Sequence, residues 1–270
     1  MIADNEMAIR LGFFFGLFFL FALLESWKPR RKLDWGRRRW PTNLLLVFIN
    51  SLAVRVLFPG AAVAMALWTQ SQGLGLFNWL QWPWALSLLL SLLALDFVIW
   101  LQHLAMHHVP WLWRLHRVHH ADLDFDVSTG LRFHPLEIVF SMLVKFSAIL
   151  ILGPSVIAVI VFEVLLNATS MFNHSNLNLP LGLDRILRWF VVTPDMHRVH
   201  HSSQIPETNS NFGFNLPWWD RLFGTYRAQP QLGHENMEIG LSEERDFARC
   251  ATMRGLLLMP FKRISGKRES

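Results

Sequence analysis

The sequence predicts an all-α integral membrane protein: a helical bundle of about four to five transmembrane helices with a cytoplasmic histidine-rich helical cap. Three features point to it. The 270-residue chain is 52% hydrophobic and only 17% charged, where a soluble domain would carry about a quarter charged residues. Apolar runs recur at close to the ~20 residues that a helix needs to cross hydrocarbon. Strand-like alternation of useful length is missing. Thirteen tryptophans against one tyrosine add weight, because indole suits the membrane–water interface.

The runs follow in order. Ile9 to Leu24 is the first, with Arg10 near its outer end. It is long and lacks a strongly basic leader, so it is expected to be retained rather than cleaved. Asn43 to about Leu57 is the second, broken by Pro59-Gly60 and extending toward Trp68. Pro83 to about Gln102 is the third. Ile138 to Leu152 and Ser155 to Met171 read as a hairpin pair turning at Gly153-Pro154. The expected organisation is N-terminal membrane helices over 1–90, a histidine-rich unit over 91–228 and a cytoplasmic tail over 229–270.

Charge orients these helices. Lys28 to Arg39 holds seven basic residues and one acid, whereas Thr69 to Gln81 carries no charge. The positive-inside rule makes the first loop cytoplasmic and the second not. Threading five spans then puts His103 to His134, and everything after His174, on the cytoplasmic side. The net charge of +5 sits in loops beside apolar runs, which argues against nucleic acid as a partner. Cys250 is the single cysteine, so an internal disulfide and a CxxC pair are excluded. Arg55 and Lys145 fall inside apolar runs. Snorkelling or a helix break is the plainer account; a sharper one pairs Lys145 with Glu163 across the hairpin.

Most of the twelve histidines fall into spaced sets. His103 and His107 stand at i and i+4 and share a helix face. Asp96, nearly two turns earlier, falls on the same stripe and is a candidate to orient a ligand through its second ring nitrogen. His-Arg-Val-His-His occurs twice, and the offsets of three and four bring His116, His119 and His120 to one side of a helix. His197, His200 and His201 repeat the pattern after Thr193-Pro194-Asp195, a cap, first-turn proline and early acid. Glu163, Asn167, Ser170 and His174 form one polar stripe down an apolar helix, which must face the bundle interior or a cavity. His174 joins the candidate ligands, and so does His134 in "LRFHPLE". His108 and His234 are left over. Scattered core histidines would not group in this way, so the pattern points to metal.

Imidazole suits iron, copper, zinc and nickel alike. Eight to ten histidines overfill one ion and suit two. A closed structural zinc site would take four ligands, often with paired cysteines. Two other classes stay open. A metal transporter would place ligands near the bilayer midplane, and a bis-histidine haem carrier would face single histidines across helices.

From Asp96 to Tyr226 the chain resembles the sterol desaturase and fatty acid hydroxylase superfamily. The matching stretches are Asp96-Phe97, the HxxxH at His103, "LWRLHRVHH", "TGLRFHPLE", "NHSNLNLP", "TPDMHRVHH", "NFG" from Asn211 and "WDRLFGTY". Leu104 departs from the arginine that often follows the first histidine there. The resemblance implies a multi-pass oxygenase of the bacterial inner membrane or endoplasmic reticulum, with a histidine-bound di-iron centre on the cytoplasmic face. It would use dioxygen to hydroxylate or desaturate a membrane lipid. Zinc could replace the two iron ions during purification. The implied ligands are His103, His107, His116, His119, His120, His134, His174, His197, His200 and His201, with Asp96, Glu163 and Asn167 in supporting places. No flavin or nicotinamide glycine motif is evident, so electrons are expected from a separate reductase, ferredoxin or cytochrome b5-like donor. For "WDRLFGTY" the plainer expectation is packing of a final turn onto the site.

Overall fold

A computed structural model describes residues 6–80 and 82–262. Gln81, at the end of the expected uncharged loop, and the last residues of the tail lie outside the described residues. Among the described residues no β-strand forms, and only the isolated bridges Pro29–Leu177 and Ser202–Ile239 interrupt an all-helical architecture. Five segments are long and apolar enough to cross a membrane.

Helix α1, Glu6–Trp27, is about 33 Å long at 1.5 Å per residue, matching a hydrocarbon core of about 30 Å. Pro41 lies in the first turn of α2, Trp40–Leu57, where a missing N–H costs nothing. The second apolar run is in fact two helices. Gly60 adopts a left-handed φ of 78° and starts α3, Ala61–Ser71, which at about 16 Å is too short to span. After α4, Leu76–Leu80, comes α5, Trp84–His108. Its 25 residues reach about 37 Å, longer than the hydrocarbon core of about 30 Å, and His103 and His107 stand in its last two turns.

The hairpin forms as the sequence predicts. Helix α7, Pro135–Leu152, ends at Gly153, whose φ is 64°. The Ser155 side chain then caps α8, Val156–Asn173, by accepting from Ala158 N. A Cβ on Gly75 would lie 2.3 Å from Gly153 N. The two glycines therefore let this turn seat against the loop before α4.

Phe19, Leu23, Phe48, Val56 and Ile151 are exposed on the spans, as lipid-facing side chains should be. Polar and apolar packing concentrates instead at one end. Helix α6, Pro110–His120, buries Trp113 and Val118 together with Leu46, Cys250, Leu256 and Met259, so the C-terminal segment folds back over it. Short helices α9, Leu181–Leu187, and α10, Pro194–His200, complete this cap. The basic segment after α1 packs on the same end. Arg30 pairs with Asp195 at 3.2 Å, and Arg39 pairs with Asp122 and Asp126.

Candidate metal centre

Nine of the ten candidate histidines converge in two neighbouring groups. His103, His107, His116, His120 and His200 form one; His119, His174, His197 and His201 form the other. All nine are at most 3% exposed. His120 and His201 stack between the groups, ring centroids 4.5 Å apart and nearly parallel at 13°. The two His-Arg-Val-His-His segments exchange roles. In α6 the i and i+4 rings join the first group and the i+3 ring the second; from α10 the i and i+4 rings join the second and the i+3 ring the first. At about 3.6 residues per turn, i+4 lies about 40° to one side of i and i+3 about 60° to the other. One short helix thereby serves two foci.

The hydrogen bonds fix which nitrogen faces inward. His103 Nδ1 donates to the Phe212 carbonyl at 2.7 Å, and His116 Nδ1 donates to Glu137 Oε1 at 2.6 Å. Because both protons are on Nδ1, both Nε2 atoms present lone pairs, and those atoms lie 3.0 Å apart. His174 Nδ1 donates to Ser170 O at 2.7 Å and His119 Nδ1 to Arg132 O at 3.2 Å. Their Nε2 atoms are 3.1 Å apart, and His197 Nε2 is 3.1 Å from His174 Nε2. Opposed lone pairs repel unless a cation lies between them. Such spans suit neighbouring ligands bound at about 2.1 Å and roughly a right angle. His200 Nε2 and both ring nitrogens of His120 and His201 are buried without any hydrogen-bond partner, which in a native core calls for an ion or water. This donor set fits metal.

A single loop orients much of the first group. Asn209 Oδ1 faces His107 Nδ1 at 3.3 Å, the Ser210 carbonyl accepts from His200 Nδ1 at 2.7 Å, and Phe212 serves His103. Asn211 holds that loop in shape with a left-handed φ of 53°, donating to Met196 O and Arg227 O. Asp220, from "WDRLFGTY", accepts from the N–H groups of Phe212 and Gly213, each at 2.8 Å. That block thus braces the loop, as packing onto the site would require. Thr193 caps α10 by accepting from Met196 N, as its sequence suggests.

His134 does not join the groups. It caps α7, with Nδ1 accepting from Leu136 N at 3.1 Å and Nε2 donating to Leu257 O at 3.3 Å. His108 is exposed and donates to Leu104 O; His234 is buried 3.6 Å from Asp195. Asp96 accepts from Trp219 Nε1 at 2.8 Å rather than from a histidine, since seven residues of helix separate it from His103 by about 10 Å. Glu163 lies still further from His174 and pairs with Lys145 at 2.6 Å. Asn167 donates back to the Glu163 carbonyl. Glu137 and Asn209 take the orienting places instead. An acid in the first turn of an otherwise apolar helix was the available signal for Glu137.

Burial and neighbouring imidazoles hold His119, His120, His197 and His201 well below the ordinary histidine value of 6.5. Burial depresses His174 and His200 to about 3. All are therefore neutral donors at neutral pH. In the unfolded chain these rings take protons below about 6.5 that the fold refuses, His174 and His200 down to about 3. The metal-free protein should hold its full stability above about pH 6.5 and lose it as pH falls through that window. Thermal unfolding of the metal-stripped protein, followed from about pH 7.5 to about pH 5, should show a falling midpoint. A midpoint flat over that range would contradict the burial of neutral imidazoles.

Beside the first group lies a cavity of about 480 Å³ whose wall includes His103, His116 and Glu137. It runs between α1, α2, α5, α7 and α8, and Leu131, Phe133, Met142, Leu166 and Phe214 supply apolar surface.

Ornithine lipid hydroxylase OlsE of Rhizobium tropici is 30% identical over 160 residues, 59% of this chain and 47% of that protein. Human alkylglycerol monooxygenase is 33% identical over 171 residues, 62% of this chain and 35% of that protein. Human cholesterol 25-hydroxylase is 30% identical over 145 residues, 52% and 50% of the respective chains. The chain thus spans half or less of these relatives. No solved structure matches it. The fatty acid hydroxylase profile matches residues 88–225, a stretch that contains all nine converging histidines and just over half of the sequence, and the chain belongs to that family.

Proposed function

We propose that the protein is a membrane-bound oxygenase that inserts oxygen into a C–H bond of a lipid at a two-iron centre held by the nine histidines. The carrying observation is the pair of adjacent imidazole foci, the first of which opens through His103 and His116 on a largely apolar cavity between membrane helices. The first focus would be held by His103, His107, His116, His120 and His200, the second by His119, His174, His197 and His201. Iron bound there would supply dioxygen activation and hydrogen abstraction from an unactivated carbon. The chain's share is placement. Carbonyls, Asn209 and Glu137 lock the tautomer and direction of His103, His107, His116, His119, His174 and His200. Phe133, Phe212 and Phe214, packed on the histidine rings, exclude water from the centre. The cavity wall holds one segment of lipid against it, where small displacements weigh heavily on rate.

Hydroxylation is favoured over desaturation because the relatives are named as hydroxylases and monooxygenases. Electrons come from a separate donor of the reductase, ferredoxin or cytochrome b5 kind. The histidine end faces the cytoplasm, since the strongly basic loop between α1 and α2 packs on it.

The test is lipid analysis of cells carrying the iron-loaded protein or its His116→Ala variant, grown under isotopically labelled dioxygen. A lipid that gains one labelled oxygen atom only with the unaltered protein is expected. Unchanged lipids in cells where the protein is folded, iron-loaded and supplied with a donor would overturn the reading.

A further inference from the structure

The cavity has a second polar end. Arg10, Arg55, Lys145 and Glu163 line it as well as His103 and His116. Lys145 Nζ donates to Glu163 Oε1 at 2.6 Å, and Arg10 Nη1 lies 3.1 Å from the other carboxylate oxygen. Arg55, in the last turn of α2, has Nη2 3.3 Å from the Met7 sulfur. Among the described residues, two cations, Lys145 and Arg10, thus meet one carboxylate inside the membrane-spanning segments, and Arg55 lines the same cavity. The Lys145 and Glu163 side chains are 14% and 2% exposed. An apolar tail offers nothing to such a cluster. Among the described residues that line this end the cations outnumber the carboxylate, and such an excess beside hydrocarbon favours an entering anion.

Position along α7 relates the two ends. Glu137, which touches His116, lies two steps of four from Lys145, with Ser141 between; all three line the cavity. At 1.5 Å per residue the two levels are about 12 Å apart.

We propose that Lys145 and Arg10, held in place by Glu163, together with Arg55 on the same cavity wall, form an anchoring subsite for the anionic oxygen group, carboxylate or phosphate, of an amphipathic lipid. The group is held at one end of the cavity while a C–H bond about 12 Å away along the helix axis faces the histidines. The subsite rests on the lipid-oxidising reading and names its substrate class. Glu163 is a positioning residue, since it acts by holding the two cations. A purely structural staple would show no preference for a ligand's charge.

The test is binding of four matched amphiphiles to the full chain in a neutral maltoside detergent, by titration calorimetry: dodecyl phosphate, dodecanoate, dodecanol and dodecyltrimethylammonium. One or both anions should bind at least about tenfold more tightly than the alcohol, and the cation more weakly still. The comparison of the two anions tells phosphate from carboxylate. Lys145→Gln should bring the preferred anion to within about threefold of the alcohol, whereas Lys145→Arg should retain the preference. Should Lys145→Gln fail to fold, Arg55→Gln, altered at an exposed side chain, should reduce the same ratio. Equal affinities for anions and alcohol in the unaltered protein would overturn the proposal, and so would an undiminished ratio in the folded variants. The measurement does not need turnover. An anion preference without oxygenated lipid would remove the oxygenase reading and leave the subsite; oxygenated lipid without the preference would do the reverse.

Discussion

Replacing His201 with alanine is expected to lower bound metal from about two ions per chain to about one and to reduce turnover by more than a hundredfold. That exceeds the roughly 10–100-fold loss typical of removing an outer partner. The second group has four imidazoles and no carboxylate among its members, so losing one leaves three donors. Neither ring nitrogen of His201 has another partner, and its ring stacks on His120 at the junction of the groups. His107→Ala should be milder, because four histidines remain in the first group. Metal analysis and turnover of both variants, prepared side by side, test this. Equal metal loss in the two would show that the histidines do not divide into groups of five and four.

That division was only half legible in the sequence. Offsets of three and four place three rings on one side of a helix, and they do lie there. The roughly 100° step between His119 and His120, which sends neighbouring rings to different foci, gains meaning only when a second helix faces the first. The spans were readable because unbroken apolar runs leave few alternatives, and Ser155 and Thr193 announced their helix starts. The polar stripe of α8 does face the cavity, which Glu163, Asn167 and Ser170 line, but its acid does not serve the histidines. Asp96 and Glu163 share a helix side with histidines but lie too far along the axis to touch them. Glu137 and Asn209, in contrast, meet His116 and His107 across 21 and 102 residues, and helical periodicity carries no information about such contacts. Lys145 and Glu163 were legible as a pair, because both lie inside apolar helices of one hairpin. Arg10 was not, since α1 packs beside α8 only in three dimensions.

Arg39→Met is expected to cost about 3–5 kcal/mol, the usual penalty for removing one partner from a buried ionic cluster. Arg39 is fully buried and pairs with Asp122 and Asp126, with Asp124 at 3.6 Å from its Nε. These aspartates begin two residues after His120. Asp124 also accepts the N–H groups of Asp34, Trp35 and Gly36, stapling the basic loop to the histidine cap. Without the guanidinium three carboxylates would share a dry site, with Arg132 reaching only Asp122 at 3.5 Å. Methionine keeps most of the volume, so the loss would be electrostatic rather than a cavity. Burial, with a smaller push from Asp122, already outweighs Arg39 and raises Asp126 above the ordinary aspartate range. Asp126→Asn should therefore recover part of the stability in the double variant. Unfolding in detergent measures both effects, and a double variant no more stable than Arg39→Met would locate the penalty in packing instead. The loss should also reach the metal, because the loop that answers Arg39 continues directly from the last ligands of α6.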